Sequence, residues 1–216
     1  MKIHLCLLHI LVSLSQIPKS KMRLSLTVLF TFIISIGICA QETDFYKRLS
    51  DAAIELTKDK VVYDPRYYKI PYPNGDVPAD KGVCTDVIIR AYRKLGIDLQ
   101  KKIHEDMKVN FSKYPKKWGM KSTDKNIDHR RVPNQATFFS RFGSVKKISD
   151  KAEDYVVGDI VTWDLGGGIT HIGIVTDRMS TDKKRPLIVH NIGQGQVLQD
   201  CLFSYKVTGH YTYRGK

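Results

Sequence analysis

Apolar residues recur at helical spacing in two segments of the first half of the chain. In residues 44–60 they follow the i, i+3, i+4, i+7 pattern of an amphipathic helix, at Leu49, Ala52, Ala53 and Leu56. From Val83 onward a second apolar face is formed by Val87, Ile88, Ala91 and Leu95. Thr85 or Asp86 can cap this second helix, and Gly96 is expected to end it. Residues 61–82 are rich in Pro, Tyr, Gly and Asp, which predicts an ordered loop.

Short runs of β-branched and aromatic residues dominate the last third of the chain. They occupy residues 160–165, 170–177, 186–193 and 203–214, and Gly and Asp separate them. This pattern predicts an antiparallel sheet. The preceding residues, 98–143, are mixed, with short helices expected near 104–109 and 136–141. Because helices come first and strands follow, the predicted fold class is α+β.

The first 40 residues differ in composition from the rest of the chain. They contain four basic residues and no acid, and an apolar run covers residues 24–38. This run fits the apolar part of a signal peptide and is shorter than the roughly 20 residues of a membrane-spanning helix. We expect residues 1–40 to be a signal peptide, with Met22 as the true start, and 41–216 to be one exported domain, periplasmic or secreted. An uncleaved anchor and lipidation at Cys39 are the alternatives.

Charge narrows the range of partners. The chain has 35 Lys and Arg against 22 Asp and Glu, a formal net charge of +13. Without residues 1–40, which hold four of the bases, 31 basic and 22 acidic residues leave +9. The basic residues form no aromatic-interleaved nucleic-acid motif, so an anionic cell envelope is the expected surroundings. We expect a monomer with no nucleic-acid partner and no transmembrane helix in the mature chain. No metal or other cofactor is expected either, since the cysteines lack C-x-x-C spacing.

Cys84 stands at the predicted start of the second helix. Unpaired backbone N–H groups and the helix dipole favour a thiolate there, so we expect a lowered thiol pKa. A nucleophilic thiol also needs a base. His171 opens a strand directly after three glycines, and His190 ends the next strand. Cys84, His171 and His190 are therefore the predicted nucleophile, base and orienting residue of a catalytic triad.

Several alternatives to these assignments follow from the same residues. Cys84 and Cys201 could form a disulfide in an oxidising compartment, and Asn191 could replace His190 as the orienting residue.

Other residues are candidates for substrate binding. Trp163 and Asp164 precede the glycines and could line a cleft, with core packing as the alternative for Trp163. Arg130, within the run 128–131, could bind a substrate carboxylate or form internal salt bridges.

Five segments resemble the bacterial domain-of-unknown-function family 1287. They are Gly-Val-Cys-Thr-Asp at 82–86, Asn-Ile-Asp-His-Arg-Arg-Val-Pro-Asn at 126–134, Gly-Asp-Ile-Val-Thr-Trp-Asp-Leu at 158–165, His-Ile-Gly-Ile-Val at 171–175 and Val-His-Asn-Ile-Gly at 189–193. The resemblance covers nearly all of residues 44–214. More distantly, the layout is similar to NlpC-type, papain-like cell-wall cysteine peptidases. The matching positions are Tyr72 to Gly75 for a loop, Cys84 for the nucleophile, Gly158-Asp159 for a strand, His171 for the base and His190 for the third residue.

The resemblance implies a papain-like core, in which the nucleophile begins a helix packed on an antiparallel sheet. It also implies hydrolysis of amide bonds in peptidoglycan stem peptides through a thioester, with Tyr72 as a candidate oxyanion donor. Val83 and Thr85-Asp86 depart from the Asp and Ser-Gly that flank the family's cysteine. The negative charge of Asp86 would destabilise a thiolate at Cys84 unless the Asp86 side chain points away as a helix cap. A non-catalytic envelope-binding module and an acyltransferase are the alternative functions.

Overall fold

The fold joins four helices of the first part of the chain to a sheet formed by the last part. The computed structural model describes residues 44–215, so the predicted signal peptide with Met22 and Cys39 lies outside the described residues. The helices are α1 (44–56), α2 (Cys84–Lys94), α3 (Leu99–Asn110) and α4 (Val132–Phe142). Short 3-10 turns lie at Phe111–Lys113, Lys117–Gly119, Asp128–Arg130 and Ala152–Asp154.

The strands form one large antiparallel sheet and one small parallel pair. The small pair consists of β1 (Val62–Tyr63) and β2 (Lys81–Gly82). The large sheet contains β3 (Ser144–Val145), β4 (Ile160–Asp164), β5 (Thr170–Met179), β6 (Pro186–His190), β7 (Val197–Gln199) and β8 (Lys206–Thr212). Its strand order is β3-β8-β4-β5-β6-β7. The expected mixture of helices with an antiparallel sheet is confirmed.

Two helices are longer than the sequence pattern predicts. The Asp98 side chain accepts a hydrogen bond from the Lys101 N–H, so α3 begins at Leu99 rather than near residue 104. Pro133 lies in the first turn of α4, where its missing N–H costs nothing, and α4 therefore begins at Val132. The Asp98 cap and Pro133 thus place the buried Leu99 and Val132 in the first turns of the two helices.

The sheet carries a hydrophobic cluster on each face. Alternate residues of β4, β5 and β6 point to opposite faces, as expected for strands. One face packs against the helices, and its cluster includes Ile160, Ile172, Ile174, Val189, Val87 and Ile88. The other face carries Tyr155, Val161, Trp163, Val175, Ile188, Cys201 and Leu202. Among the described residues, no helix is long and apolar enough to cross a membrane.

Helix α2 is the central helix of the core. Its residues from Cys84 to Tyr92 are all buried, and the Tyr92 hydroxyl donates a hydrogen bond to the Tyr213 carbonyl at 2.9 Å. The Tyr92 ring also stacks on Phe139 of α4. These contacts fix the direction of α2, so the position of its first residue against the sheet is set by the whole core.

Candidate active site

Cys84 is the first residue of α2, as the sequence predicts for a nucleophile at a helix start. Val83 is the N-cap residue, and the Asp86 Oδ2 accepts a hydrogen bond from the Val83 N–H at 2.7 Å. Asp86 therefore caps the helix from its third position, yet its charge still acts to raise the pKa of the Cys84 thiol. Thr85, the other predicted cap, donates instead to the Arg130 carbonyl at 3.0 Å.

The thiol of Cys84 is held at the backbone of β5. The backbone N–H groups of Ile172, Thr85 and Cys84 itself lie near its sulfur and act to lower the pKa of the thiol. Ile172 directly follows His171, and because neighbouring strand residues point to opposite faces, the His171 side chain points away from the thiol. Within the described residues, no hydrogen bond joins the Cys84 sulfur to an imidazole.

The expectation of a lowered thiol pKa is wrong for this structure. Only 5% of Cys84 is exposed, and burial raises the pKa of the thiol to about 12. The backbone N–H groups act in the opposite direction, and the charge of Asp86 adds to the effect of burial. The thiol is therefore protonated at neutral pH.

Arg130 pairs with Asp86 in the first turn of α2. Its guanidinium forms two hydrogen bonds of 2.9 Å to the Asp86 carboxylate, and both side chains are buried. It also donates to the Arg66 carbonyl at 3.1 Å. The internal salt bridge that the sequence left open is thus present, and the carboxylate partner of Arg130 belongs to the protein itself.

His171 and His190 are brought together, but on the sheet face opposite Cys84. His171 pairs with Trp163, whose cluster faces away from the helices, whereas Cys84 packs in the cluster of Ile172 on the helix face. His171 Nε2 lies 2.8 Å from His190 Nδ1, and the two rings are nearly perpendicular. Both residues are almost fully buried. Burial lowers the pKa of His171 to about 3, with the neighbouring His190 adding to this shift, and burial also lowers the pKa of His190. Both rings are therefore neutral at pH 7.

The second nitrogen of His190 contacts two residues that the sequence analysis did not place in the site. Gln199 Oε1 lies 3.0 Å from His190 Nε2, and Cys201 Sγ lies 3.5 Å from the same nitrogen. Both cysteines of the described chain are free thiols. Cys201 therefore forms no disulfide with Cys84, and the disulfide alternative is wrong for this structure.

Asn191, the alternative orienting residue, faces a different loop. Its amide donates to the Gly82 carbonyl at 3.3 Å, and its Oδ1 accepts from the Gly193 N–H at 3.1 Å. Asn191 thereby ties the end of β6 to the residues just before Cys84. Of the two candidates, His190 is the one that contacts His171.

The predicted cleft residues Trp163 and Asp164 have structural contacts. Trp163 pairs with His171 across β4 and β5, with ring centroids 5.8 Å apart. Its indole N–H donates to the Leu202 carbonyl, and only 1% of the residue is exposed, so it packs in the core. Asp164 accepts a hydrogen bond from the Gly166 N–H at 2.9 Å. It thereby stabilises the turn in which Gly166, Gly167 and Gly168 all have positive φ.

Tyr72 lies against α3. Its ring meets the edge of His104 at 5.3 Å, and the Lys125 ammonium group lies over its face. Burial, with a smaller effect of Glu105, raises its pKa. These contacts are all with residues outside the Cys84–His171–His190 group.

Tyr63 is the tyrosine that the structure couples to Cys84. It lies in β1 opposite Gly82, two residues before Cys84. Burial, followed by the charges of Cys84 and Asp86, raises the pKa of the Tyr63 phenol. Tyr63 is 39% exposed, so its ring is partly open to solvent. No motif marks it, because it belongs to the loop-like region 61–82.

The described residues include no group of three or more His, Cys, Asp or Glu that could hold a metal ion. The chemistry available in the site is that of a thiol, two neutral imidazoles and their hydrogen-bond partners. Such a set can move a proton and form a covalent bond to an electrophilic carbon.

The fold and the site define a mixed α/β protein with a buried cysteine at a helix start and a hydrogen-bonded histidine pair on an antiparallel sheet. The family described as "Domain of unknown function (DUF1287)" matches residues 50–213, and the chain belongs to this family. The Escherichia coli (strain K12) protein named "Uncharacterized protein YijF" is 48% identical over 165 residues, which cover 76% of this chain and 80% of that protein.

One solved structure, "Structure of NlpC1 from Trichomonas vaginalis", is also similar. Its TM-score is 0.40 at 17% identity, and the match covers 76% of this chain. The chain spans 44% of the length of that protein.

Proposed function

We propose that this protein is an exported cysteine hydrolase with a papain-like core that cleaves amide bonds in peptidoglycan stem peptides. The observation that carries the proposal is the position of Cys84 at the start of α2, where its sulfur lies at the backbone of Ile172, next in sequence to the hydrogen-bonded His171. The His171–His190 hydrogen bond uses Nε2 of His171, and within the described residues no hydrogen bond occupies its Nδ1, as a base needs. The substrate class comes from the motif resemblance to cell-wall peptidases.

In the proposed reaction, substrate binding turns the His171 ring to the Cys84 face of the sheet, and its Nδ1 takes the proton of the Cys84 thiol as the sulfur attacks the amide carbonyl. The carbonyl oxygen then carries the negative charge, which a backbone N–H at the start of α2 can stabilise. His171 returns the proton to the leaving nitrogen, and the C–N bond breaks to give a thioester. Water, deprotonated by His171, attacks the thioester, and the proton returns to the sulfur as the acid product leaves.

The resting state contains a neutral thiol and a neutral imidazole. Because burial raises the Cys84 pKa and lowers that of His171, a thiolate–imidazolium pair is disfavoured before substrate binds. Proton transfer and attack are therefore expected to occur together, with the imidazolium form of His171 existing only during the reaction.

The test is cleavage of purified peptidoglycan stem peptides, followed by mass spectrometry of the products. We expect Cys84→Ala and His171→Ala to abolish cleavage while the fold is retained, and Cys201→Ala to remain active. Unchanged cleavage by Cys84→Ala would refute the mechanism. Sequencing the amino terminus of the mature protein tests export, and an added amine acceptor separates hydrolysis from acyl transfer.

A non-catalytic envelope-binding module with the same fold is the second candidate. The raised pKa of Cys84 favours it, because a buried neutral thiol is a weak nucleophile. In that case, purified cell wall would retain both the parent protein and Cys84→Ala equally well. Neither would release products, and a thiol-reactive probe would not label Cys84 in the folded protein.

A further inference from the structure

Gln199 lies at the end of a line of hydrogen bonds that begins at His171. In the β6–β7 pair Gln199 stands opposite Ile188, and His190 follows Ile188 by two residues. The side chains of Gln199 and His190 therefore lie on the same face of the sheet. The line runs from His171 Nε2 to His190 Nδ1 at 2.8 Å, and from His190 Nε2 to Gln199 Oε1 at 3.0 Å.

The amide oxygen decides where each proton of this line resides. An amide oxygen only accepts hydrogen bonds, so His190 must carry its proton on Nε2. A neutral His190 then has a lone pair on Nδ1, which accepts the proton carried by His171 Nε2. His171 Nδ1 is therefore left with a lone pair, and this atom is the base of the proposed function.

We propose that Gln199 is a positioning residue, which sets the tautomers of His190 and His171 and so keeps His171 Nδ1 available as a base. The catalytic consequence rests on the proposed function, whereas the tautomers themselves can be measured without turnover. An amide turned the other way would donate to His190 Nε2 and reverse the line. His171 Nδ1 would then carry a proton and could not accept one from the thiol.

Cys201 provides a matched control for Gln199. Its sulfur lies 3.5 Å from the same His190 nitrogen, yet sulfur is the weaker acceptor. Replacing Cys201 changes the surroundings of His190 Nε2 but leaves the amide oxygen in place. Cys201→Ala should therefore preserve the tautomers that Gln199→Leu disturbs.

The experiment is NMR of the imidazole nitrogens in protein labelled with ¹⁵N-histidine, at pH 7. In the parent and in Cys201→Ala we expect both rings to carry their proton on Nε2. In Gln199→Leu we expect the ring-nitrogen shifts of His190 and His171 to move toward a mixture of tautomers. Gln199→Glu, whose carboxylate also accepts, should restore the parent tautomers. Parent-like nitrogen shifts in Gln199→Leu would overturn the proposal.

Kinetics separate this proposal from the proposed function. If the protein is a hydrolase, Gln199→Leu should lower kcat roughly 10-fold with little change in KM. Gln199→Glu should recover most of kcat and shift the acidic limb of the pH profile upward, because a carboxylate stabilises the protonated pair. If the protein cleaves no stem peptide but its histidine tautomers still change in Gln199→Leu, the hydrolase proposal is refuted. The positioning role of Gln199 is then retained.

A second feature, independent of this site, is the segment 107–123, which we call the lysine–tryptophan segment. It contains no acidic residue, and five of its lysines are exposed: Lys108, Lys113, Lys116, Lys117 and Lys121. Trp118 in its middle is 58% exposed, and Val109 near its start is 84% exposed. The exposed Trp118 thus lies among positive charges, whereas Val109 also adjoins Glu105 and Asp106.

Trp118 is held in this exposed position by its backbone and by Arg131. Its φ of +62° is in the left-handed region, which disfavours residues other than glycine. The Arg131 guanidinium lies 4.5 Å from the centre of its ring and covers one side of it. An unfavourable backbone conformation that leaves a large aromatic ring in solvent points to a binding role.

We infer that the lysine–tryptophan segment binds the surface of a membrane that contains anionic phospholipids. Lysines are attracted to the negative surface of such a membrane, and tryptophan prefers the headgroup region. A soluble polyanion would use the lysines but gives no reason for the exposed Trp118. The charge and the aromatic ring together therefore favour the lipid surface.

The test is sedimentation with vesicles of phosphatidylglycerol and phosphatidylcholine, compared with pure phosphatidylcholine. We expect binding to the anionic vesicles only, with a blue shift of tryptophan emission that disappears in Trp118→Ala, because Trp163 is already buried. Lys116→Glu/Lys117→Glu should weaken binding at least 10-fold. The control Lys183→Glu/Lys184→Glu, which alters two other exposed lysines, should bind as the parent does. Equal losses in both double variants, or full competition by polyphosphate without the emission shift, would overturn the inference.

Discussion

Burial and the helix dipole act on the Cys84 thiol in opposite directions. The start of a helix carries only a partial positive charge, which stabilises a thiolate weakly. Removal from water destabilises the thiolate more strongly. The pKa of about 12 shows that burial dominates here. At the residue scale, the position of a cysteine in a helix therefore does not determine its ionisation.

This balance predicts the pH dependence of Cys84 alkylation. We expect its rate with iodoacetamide to rise roughly tenfold per pH unit between pH 7 and 10, because only the thiolate reacts. Mass spectrometry of the Cys84 peptide over short reaction times gives the rate. Fast alkylation that is constant between pH 5 and 8 would instead indicate a thiolate–imidazolium pair and contradict the raised pKa.

The buried Asp86–Arg130 pair predicts a large effect on stability. Arg130→Met leaves the Asp86 charge without its partner, so the free energy of unfolding should fall by about 3–5 kcal/mol. Asp86→Asn/Arg130→Met should recover part of this loss, since no charge is then left alone. Urea unfolding followed by circular dichroism measures both.

The exposed pair of Arg48 and Asp44 provides the control for this prediction. These side chains are 3.8 Å apart and mostly in solvent. Arg48→Met should therefore change stability by less than about 1 kcal/mol. Similar effects of Arg48→Met and Arg130→Met would show that the Asp86–Arg130 pair is not a structural anchor.

At the scale of elements, periodicity predicts the parts of the site that lie on long elements. The apolar face of α2 locates Cys84 at a helix start, and the strand patterns place His171 and His190 on adjacent strands. Tyr63 and Gln199 escape prediction because they lie on strands of two and three residues, too short to show alternation. Asp86 and Arg130 are 44 residues apart, and no local pattern reveals that they meet.

The pairing of β5 with β6 leads to an element-scale prediction. An added Cβ at Gly173 would lie 2.6 Å from Ile188 Cγ2 and 3.3 Å from His190 Cβ. Gly173→Ala should therefore push the two strands apart, lower the free energy of unfolding by about 1–3 kcal/mol and disturb the His171–His190 hydrogen bond.

Ile188→Ala gives the matched test of this clash. It removes the nearest atom, so Gly173→Ala/Ile188→Ala should be more stable than the sum of the two single changes predicts. Urea unfolding of all four proteins completes the cycle. Strict additivity would show that the Gly173 position does not depend on contact with Ile188.

At the scale of the whole molecule, two buried histidines couple stability to pH. Burial lowers the pKa of His171 and of His129 to about 3, with the Arg130 charge adding to the shift at His129. In the unfolded chain both should titrate near 6.5. Between these values the unfolded state binds more protons than the folded state, so stability should fall as the pH drops below about 6.5.

Each of the two histidines can contribute up to about 1.4 kcal/mol of unfolding free energy per pH unit within this range. The window from pH 6.5 to 5 separates the buried histidines, His190 included, from the carboxylates, most of which remain ionised there. Urea unfolding at pH 7, 6 and 5 should show a steeper loss in the parent than in His129→Gln. His171→Gln should flatten the curve in the same way, whereas replacement of the exposed Lys183 should not. A parent curve that stays level from pH 7 to 5 would mean that both histidines become protonated in the folded protein as readily as in the unfolded chain. His171 would then not be held neutral, which would contradict its role as a neutral base.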